Sequence, residues 1–340
     1  MIGEGALTIG LDVADERVRG VRVTSTRPRN PARALVGHDI AEARELVPLL
    51  FPVCGMAHEI AFERAVADAA KRADEGRDAD DAVVLAEAAA SHLFQLAIPW
   101  RDAAGAARDL VAVREVRAAV AELRRALTAH PPAALTIAER ISSRVEPFTT
   151  GEAPLLELVE REGRSEFGAT PVSRAVTLDV RTIGAMLAED ASFAALPTLD
   201  GEPRDASCFA VEADARGGLL ARLRARRRQA QTHLATLRAT TERLVDRRAR
   251  SRRAYTDASG EGSGAAETAR GPLVHWVRVD HGKIVDLRVV APTDWTFHPH
   301  GTLRDALLGA SASPTLRRDV GWLVLALDPC VPFAVEVRDA

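Results

Sequence analysis

The sequence predicts an α+β protein that is mainly helical, with small β-hairpins from both ends packed beside a helical middle. Two observations predict it. Near each end, apolar and polar residues alternate about a short polar turn, the period-two pattern of a hairpin. Residues 80–98 and 102–129 instead repeat Ala, Leu and Val at helical spacing, with charged residues on the opposite face. The chain has 340 residues and 47% apolar side chains, enough for a substantial core. Only 4% are aromatic, so Ala, Val and Leu must fill that core.

The first hairpin is read from Leu7-Thr8-Ile9-Gly10-Leu11-Asp12-Val13 and Val18-Arg19-Gly20-Val21-Arg22-Val23, joined by Ala14-Asp15-Glu16-Arg17. Residues 26–39, rich in Arg and Pro, read as an extended loop. Residues 40–50 read as a helix that the Phe51-Pro52 step breaks, because a residue before proline is pushed out of the α region. A helix restarts at Cys54 and runs to about Glu75, which puts Cys54 and His58 on one face. After the helices at 80–98 and 102–129, Pro131-Pro132 punctuates the chain. Further helices are expected at 133–144, 153–162 and 181–190. Residues 214–253 carry Arg222, Arg224, Arg226, Arg227 and Arg228, then Arg247, Arg248, Arg250, Arg252 and Arg253. Interleaved leucines make this a long, exposed, solvated helix or, on a sharper reading, a docking surface for an acidic partner. Residues 256–266, TDASGEGSGAA, read as a flexible linker by composition. His275–Val279 and Ile284–Val290 flank Asp280-His281-Gly282-Lys283 as a second hairpin, followed by a tight loop at Ala291–Trp295. Residues 302–309 and 314–326 read as helices, the latter ending at Asp328-Pro329. The whole chain, 1–340, reads as one domain: an amino-terminal segment over 1–75, a helical middle over 76–255, the linker, and a carboxy-terminal segment over 267–340.

A net charge of −3 and a pI near 6.3 give no reason to expect nucleic acid. No signal peptide and no apolar run of the roughly 20 residues that span a bilayer are evident, so no membrane is expected. Three scattered cysteines are not a secreted disulfide framework, and a reduced, cytoplasmic protein is expected. Cys208, alone in Ala-Ser-Cys-Phe, reads as a small buried hydrophobe. Cys54 and Cys330 differ, since both lie in short Pro-containing turns, Phe51-Pro52-Val53-Cys54 and Asp328-Pro329-Cys330, near opposite ends of the chain. If the ends meet, the two thiols close one pocket.

The same stretches carry a resemblance. The chain resembles the large subunit of nickel–iron hydrogenases at both ends, and more closely the shortened, large-subunit-like maturation proteins of the HupK/HoxV type. GEGALTIGLDV resembles the amino-terminal R-x-E-G-H-L strand, with Glu4 at the acidic position and Ala6 where histidine is expected. FPVCGMAH resembles C-x-x-C-x-x-x-H. TARGPLVHWVRVDHGKIVDLRVVAPTDW resembles the A-R-G…H hairpin and its V-P-T-x-W continuation. DPCVPFAVE resembles D-P-C-x-x-C-x-x-H. The match covers roughly 1–75 and 267–340, and it implies a large-subunit-like helical bundle with hairpins from both termini.

What the resemblance implies for the site follows residue by residue. Two of the family's four metal-binding cysteines are replaced, by Phe51 and Phe333. Cys54 matches a bridging ligand and Cys330 a terminal nickel ligand, so these two are the expected metal ligands. Arg270, Pro292 and Thr293 match residues around the diatomic ligands of the iron; His58 and Glu4 complete the expected set, with His58 equally readable as a hydrogen-bonding residue of the fold. Glu336 stands where the terminal histidine belongs, and Ala32 where an acid of a second, magnesium-type site belongs. No nickel is expected, because two thiolates are a poor closed site for a metal that favours several N or S donors. The implied cargo is a transiently held Fe(CN)2CO unit. The implied partners are a HypC–HypD type maturation complex or a HypC-like chaperone, and the hydrogenase large-subunit precursor. The implied role is a non-enzymatic maturation scaffold; the alternatives are a divergent hydrogenase and a metal-free chaperone of the large subunit.

Overall fold

A computed structural model describes residues 5–28, 30–72, 77–171, 176, 179–210, 216–244, 255 and 257–339. Glu4 and the arginines from Arg247 to Arg253 lie outside the described residues. In chain order the elements are β1 (Leu7–Ala14), β2 (Arg17–Ser25), α1 (Ile40–Leu50), α2 (Gly55–Ala69), α3 (Arg77–Ala97), α4 (Pro99–Ala103), α5 (Leu110–Ala129), α6 (Ala134–Thr150), α7 (Pro154–Arg161), β3 (Thr170–Pro171), α8 (Val180–Glu189) and β4 (Arg216–Gly217). There follow α9 (Leu219–Leu244), β5 (Gly260–Thr268), β6 (Gly271–Asp280), β7 (Lys283–Val290), α10 (Pro292–Thr296), α11 (Thr302–Leu307), α12 (Leu316–Leu327) and β8 (Phe333–Asp339). The α+β, mainly helical expectation holds.

Both expected hairpins form. In the first, β1 and β2 pair antiparallel from Leu7 opposite Ser25 to Ala14 opposite Arg17. The turn residues Asp15 and Glu16 take φ of 49° and 57°, the left-handed pair whose twist suits a two-residue hairpin turn. In the second, β6 and β7 pair around His281 and Gly282, again both at positive φ. The other edge of β1 takes β8 in parallel, Leu7 beside Phe333 and Val13 beside Asp339. The sheet order is therefore β2-β1-β8, and the two ends of the chain are stitched into one sheet.

The stretch read as a linker is instead a strand. β5 runs from Gly260 to Thr268 and pairs along the whole of β6. Its glycines serve packing, because β5 lies against α2. A Cβ built on Gly262 would sit 2.2 Å from the Ala69 nitrogen, and one on Gly264 2.3 Å from the Ala61 oxygen. Only residues without side chains let the strand backbone approach the Ala61, Ala65 and Ala69 face of the helix so closely.

The arginine-rich helix also departs from expectation. α9 lies in the bundle, with Leu219, Leu223, Leu234 and Leu237 buried. Arg222 and Arg226 face inward with them and are fully buried. Their carboxylate partners, Asp205 at 3.7 Å and Asp328 at 3.1 Å, come from remote loops. Local sequence cannot reveal such compensation, and neither arginine belongs to a solvated or docking face. The stretch Arg77–Ala103 is long and apolar enough to cross a bilayer by length and composition, contrary to the reading of the bare sequence, and 72% of its most apolar window is buried inside the protein. That is the burial of a core helix. Its acidic residues Asp78 and Asp80 occupy the first turn of α3, where the helix dipole favours them.

Candidate metal-binding site

Two chain reversals build the site. At the first, α1 stops at Phe51, whose φ of −127° and ψ of 68° lie outside the helical region that a following proline disfavours. Three residues later Cys54 is the N-cap of α2. Its side chain does not cap the helix. The carboxylate of Glu87, reaching across from α3, accepts from Met56 N–H and Ala57 N–H, both at 2.9 Å, and satisfies the helix start instead. At the second reversal α12 ends on Asp328, held at φ 56° in the left-handed region that Asp tolerates better than most residues. Pro329 then forbids another helical turn, and Cys330 follows.

The two reversals meet. Cys54 and Cys330 are both half-buried free thiols, and both line one cavity of about 590 Å³. Arg270, Pro292, Thr293 and His58 line the same cavity. Every expected site residue within the described chain is thus brought together. Cys208 is elsewhere, packed against Phe209 and Ala225 in the core. Trp276 and Trp295 are core residues of the layer under β6 and β7.

Arg270 is the organising cation. Its Nε donates to the Asp328 carbonyl at 3.0 Å and one terminal nitrogen to the Asp328 carboxylate at 3.0 Å. The other terminal nitrogen donates to Ser91 Oγ at 3.0 Å and lies 3.6 Å from Cys54 Sγ. Asp328 also pairs with buried Arg226 and accepts from Gln95. Thr293, on the first turn of α10 beside Pro292, accepts a hydrogen bond from Cys330 N–H at 3.2 Å. Its own hydroxyl proton can still donate.

The electrostatics follow from burial. Desolvation pushes the Cys54 thiol up to about 12; the Arg270 charge opposes that rise, and Glu87, Cys330 and Asp328 reinforce it. Desolvation would lower Arg270, but Asp328 and the two cysteines outweigh it and hold the guanidinium above its usual range. Desolvation, and then His275 and Arg27, hold His58 well below the usual imidazole range, and desolvation alone takes His275 to about 3. Both histidines are neutral, so the 2.9 Å contact between His58 Nδ1 and His275 Nε2 is a hydrogen bond in which one ring donates, the other accepts, and both carry the same tautomer. Phe51 stacks on the His58 ring, centroids 3.8 Å apart and 2° from parallel. Of the two readings of His58, the fold-bonding one describes its Nδ1. Among the described residues no group of three or more His, Cys, Asp and Glu side chains is disposed to hold a metal ion.

Comparison with known proteins places the chain. It is 32% identical over 99% of its length, and 98% of the relative's, to the hydrogenase expression/formation protein HupK of Rhizobium leguminosarum bv. viciae. The chain belongs to the HupK family of hydrogenase expression/formation proteins. Within that family it is 27% identical to HoxV of Cupriavidus necator over 98% of this chain and 97% of that one. A model of the nickel-dependent hydrogenase family matches residues 201–335. The fold is that of the nickel–iron–selenium hydrogenase of D. vulgaris Hildenborough, with a TM-score of 0.66 at 16% identity over 94% of each chain.

Against the hydrogenase pattern, this HupK-family chain differs from expectation in where its two phenylalanines go. Phe51 lines the cavity, but Phe333 does not; it opens β8 and packs on the core beneath the β1–β2 hairpin. Ala32 is buried core, and Glu336 is exposed on β8, paired with Arg338 at 2.6 Å. Sequence reasoning missed Arg27, Ser91 and Glu87 altogether. Asp328 was visible only as a helix stop in the Asp-Pro-Cys turn, and Arg226 only as one member of a charge run.

Proposed function

We propose that this protein is a maturation scaffold that receives an Fe(CN)2CO unit as cargo and passes it to the large subunit of a nickel–iron hydrogenase. The observation that carries the reading is the lining of one cavity by Cys54 and Cys330, from opposite ends of the chain, together with Arg270 and Thr293. The donor set suits an iron that arrives with most of its ligands. Thiolates are soft and suit such a metal. Cyanide ligands present acceptor nitrogens, which a guanidinium and a hydroxyl in the cavity wall can meet. Names support the broader role in hydrogenase maturation: the relatives above are called expression/formation proteins.

Loading is coupled to proton loss. With its thiol at about 12, Cys54 is protonated in the empty cavity and must release a proton as the sulfur–iron bond forms. The Arg270 nitrogen at 3.6 Å is positioned to stabilise the resulting thiolate. With two thiols in the wall instead of four, the cargo remains transferable. On this reading the donor is a HypC–HypD type complex or a HypC-like chaperone, the acceptor is the large-subunit precursor, and the setting is the cytoplasm. Glu4, lying outside the described residues, is assigned to the same cavity only by its motif.

The test is infrared spectroscopy of protein purified anaerobically from its host, where cyanide and carbonyl stretches stand clear of protein absorption. The wild type is expected to show them, and Cys54→Ala to lose both the bands and hydrogenase maturation. Maturation without any bands in either protein would replace the scaffold with a metal-free chaperone. Hydrogen oxidation by the isolated chain would instead make it an enzyme.

A further inference from the structure

The cavity contains a second guanidinium that the hydrogenase motifs do not mark. Arg27, just after the β1–β2 hairpin, lines the same wall as Cys54, Cys330 and Arg270. One terminal nitrogen donates to Asp294 Oδ1 at 2.8 Å. Both partners are 20% exposed. Asp294 is itself tied down, its other oxygen accepting from Ala291 N–H at 3.0 Å.

Counting donors separates the two arginines. A guanidinium has five N–H groups. Arg270 directs its nitrogens at the Asp328 carbonyl, the Asp328 carboxylate, Ser91 and Cys54, so at most one N–H is left for a ligand. The Arg27 side chain has one hydrogen-bond partner among the described residues, Asp294, and four N–H groups remain. Among the described residues the only charged side chains in the cavity wall are two guanidiniums, Arg27 and Arg270. The balance favours an anion.

We infer that Arg27 is the principal anchor for the anionic, cyanide-bearing face of the ligand, and that Asp294 holds it in place until the ligand enters. Arg270 then acts on the thiol side, through Cys54 and Asp328. The inference rests on the reading of the cavity as an iron–cyanide holder, but its test does not use the cysteines or host-derived cargo. The probe is hexacyanoferrate(II), a substitution-inert complex that presents cyanide nitrogens and forms no bond to sulfur. Binding to the purified full chain is measured calorimetrically at fixed salt.

The wild type is expected to bind. Arg27→Gln should bind about tenfold more weakly or worse, the usual effect of losing a charge-assisted hydrogen bond. Arg27→Lys keeps the charge but not the fork and should be intermediate. Asp294→Asn releases the guanidinium and should bind at least as tightly as wild type. Arg19→Gln, which removes an exposed cation on β2, should match wild type. If Asp294→Asn weakened binding in step with Arg27→Gln, Arg27 would be only a structural partner of Asp294 and the inference would fall. Absence of binding to wild type, equal binding by Arg27→Gln, or an equal loss in Arg19→Gln would overturn it as well. Should Arg27→Gln not fold, the opposite behaviour expected of Arg27→Lys and Asp294→Asn still decides the matter.

Discussion

Asp328 shows how much one residue can carry. Its carboxylate faces two buried guanidiniums, Arg270 at 3.0 Å and Arg226 at 3.1 Å, and its backbone turns the chain toward Cys330. Asp328→Asn keeps the shape and removes the charge. Two arginines would then be buried without a counter-ion, which typically costs about 3–5 kcal/mol. Urea unfolding should show a loss of that size, and a loss under about 1 kcal/mol would mean that water already compensates these arginines. By contrast, Arg19 and Asp15 form an exposed pair on the first hairpin, where contributions of about 0–1 kcal/mol are usual. The helix stop was legible, because proline follows. The charge role was not, because the two arginines are distant in sequence and one of them lies in a run that reads as solvated surface.

Among elements, β5 is the one whose composition misleads. Alternating Gly, Ser and Ala resembles a flexible segment, yet each glycine marks a close approach to α2. Gly264→Ala places a Cβ 2.3 Å from both the Ala61 oxygen and the Ala65 nitrogen. Backbone cannot withdraw as a side-chain tip can, so a loss of about 1–3 kcal/mol or more is expected. In a chain of this size that lowers Tm by several degrees. Because Cys54 is the N-cap of α2, the same change should also alter the alkylation rate of that thiol. Gly10→Ala is the control, since its nearest neighbour would be 3.8 Å away, an ordinary contact. Equal Tm values for the two variants would mean that β5 and α2 are not packed as described. The helices at 40–50 and 80–98 were legible because amphipathic spacing and proline stops are local signals; the one expected at 102–129 forms only from Leu110, because the chain leaves the helix over 104–109. α9 was legible as a helix but not as a buried one.

At the scale of the whole molecule, the parallel pairing of β8 with β1 closes the chain and fixes where Cys330 stands relative to Cys54. Phe333, Val335 and Val337 alternate in β8 and pack toward the core around β1 and α12. Deleting residues 333–340 should therefore free the Asp-Pro-Cys turn at one end while α12 still holds the other. Iodoacetamide should label Cys330 several-fold faster in the truncated chain than in the full one, read by mass spectrometry of the labelled peptides. An unchanged rate would show that α12 alone holds the turn.

Taken alone, the sequence determined what local chemistry can specify: two hairpins around polar turns, amphipathic helices with proline stops, and two Pro-linked cysteine turns whose spacing matches hydrogenase motifs. Tertiary structure alone decided which charges are buried, that a glycine-rich stretch is a strand, that Phe51 rather than Phe333 stands in the cavity wall, and that Arg27 joins Arg270 there. The reason is physical. Hairpins, caps and helix stops depend on neighbours within a few residues. The cost of burying a charge, and the need for a missing side chain, are set by groups that meet only after the chain has folded.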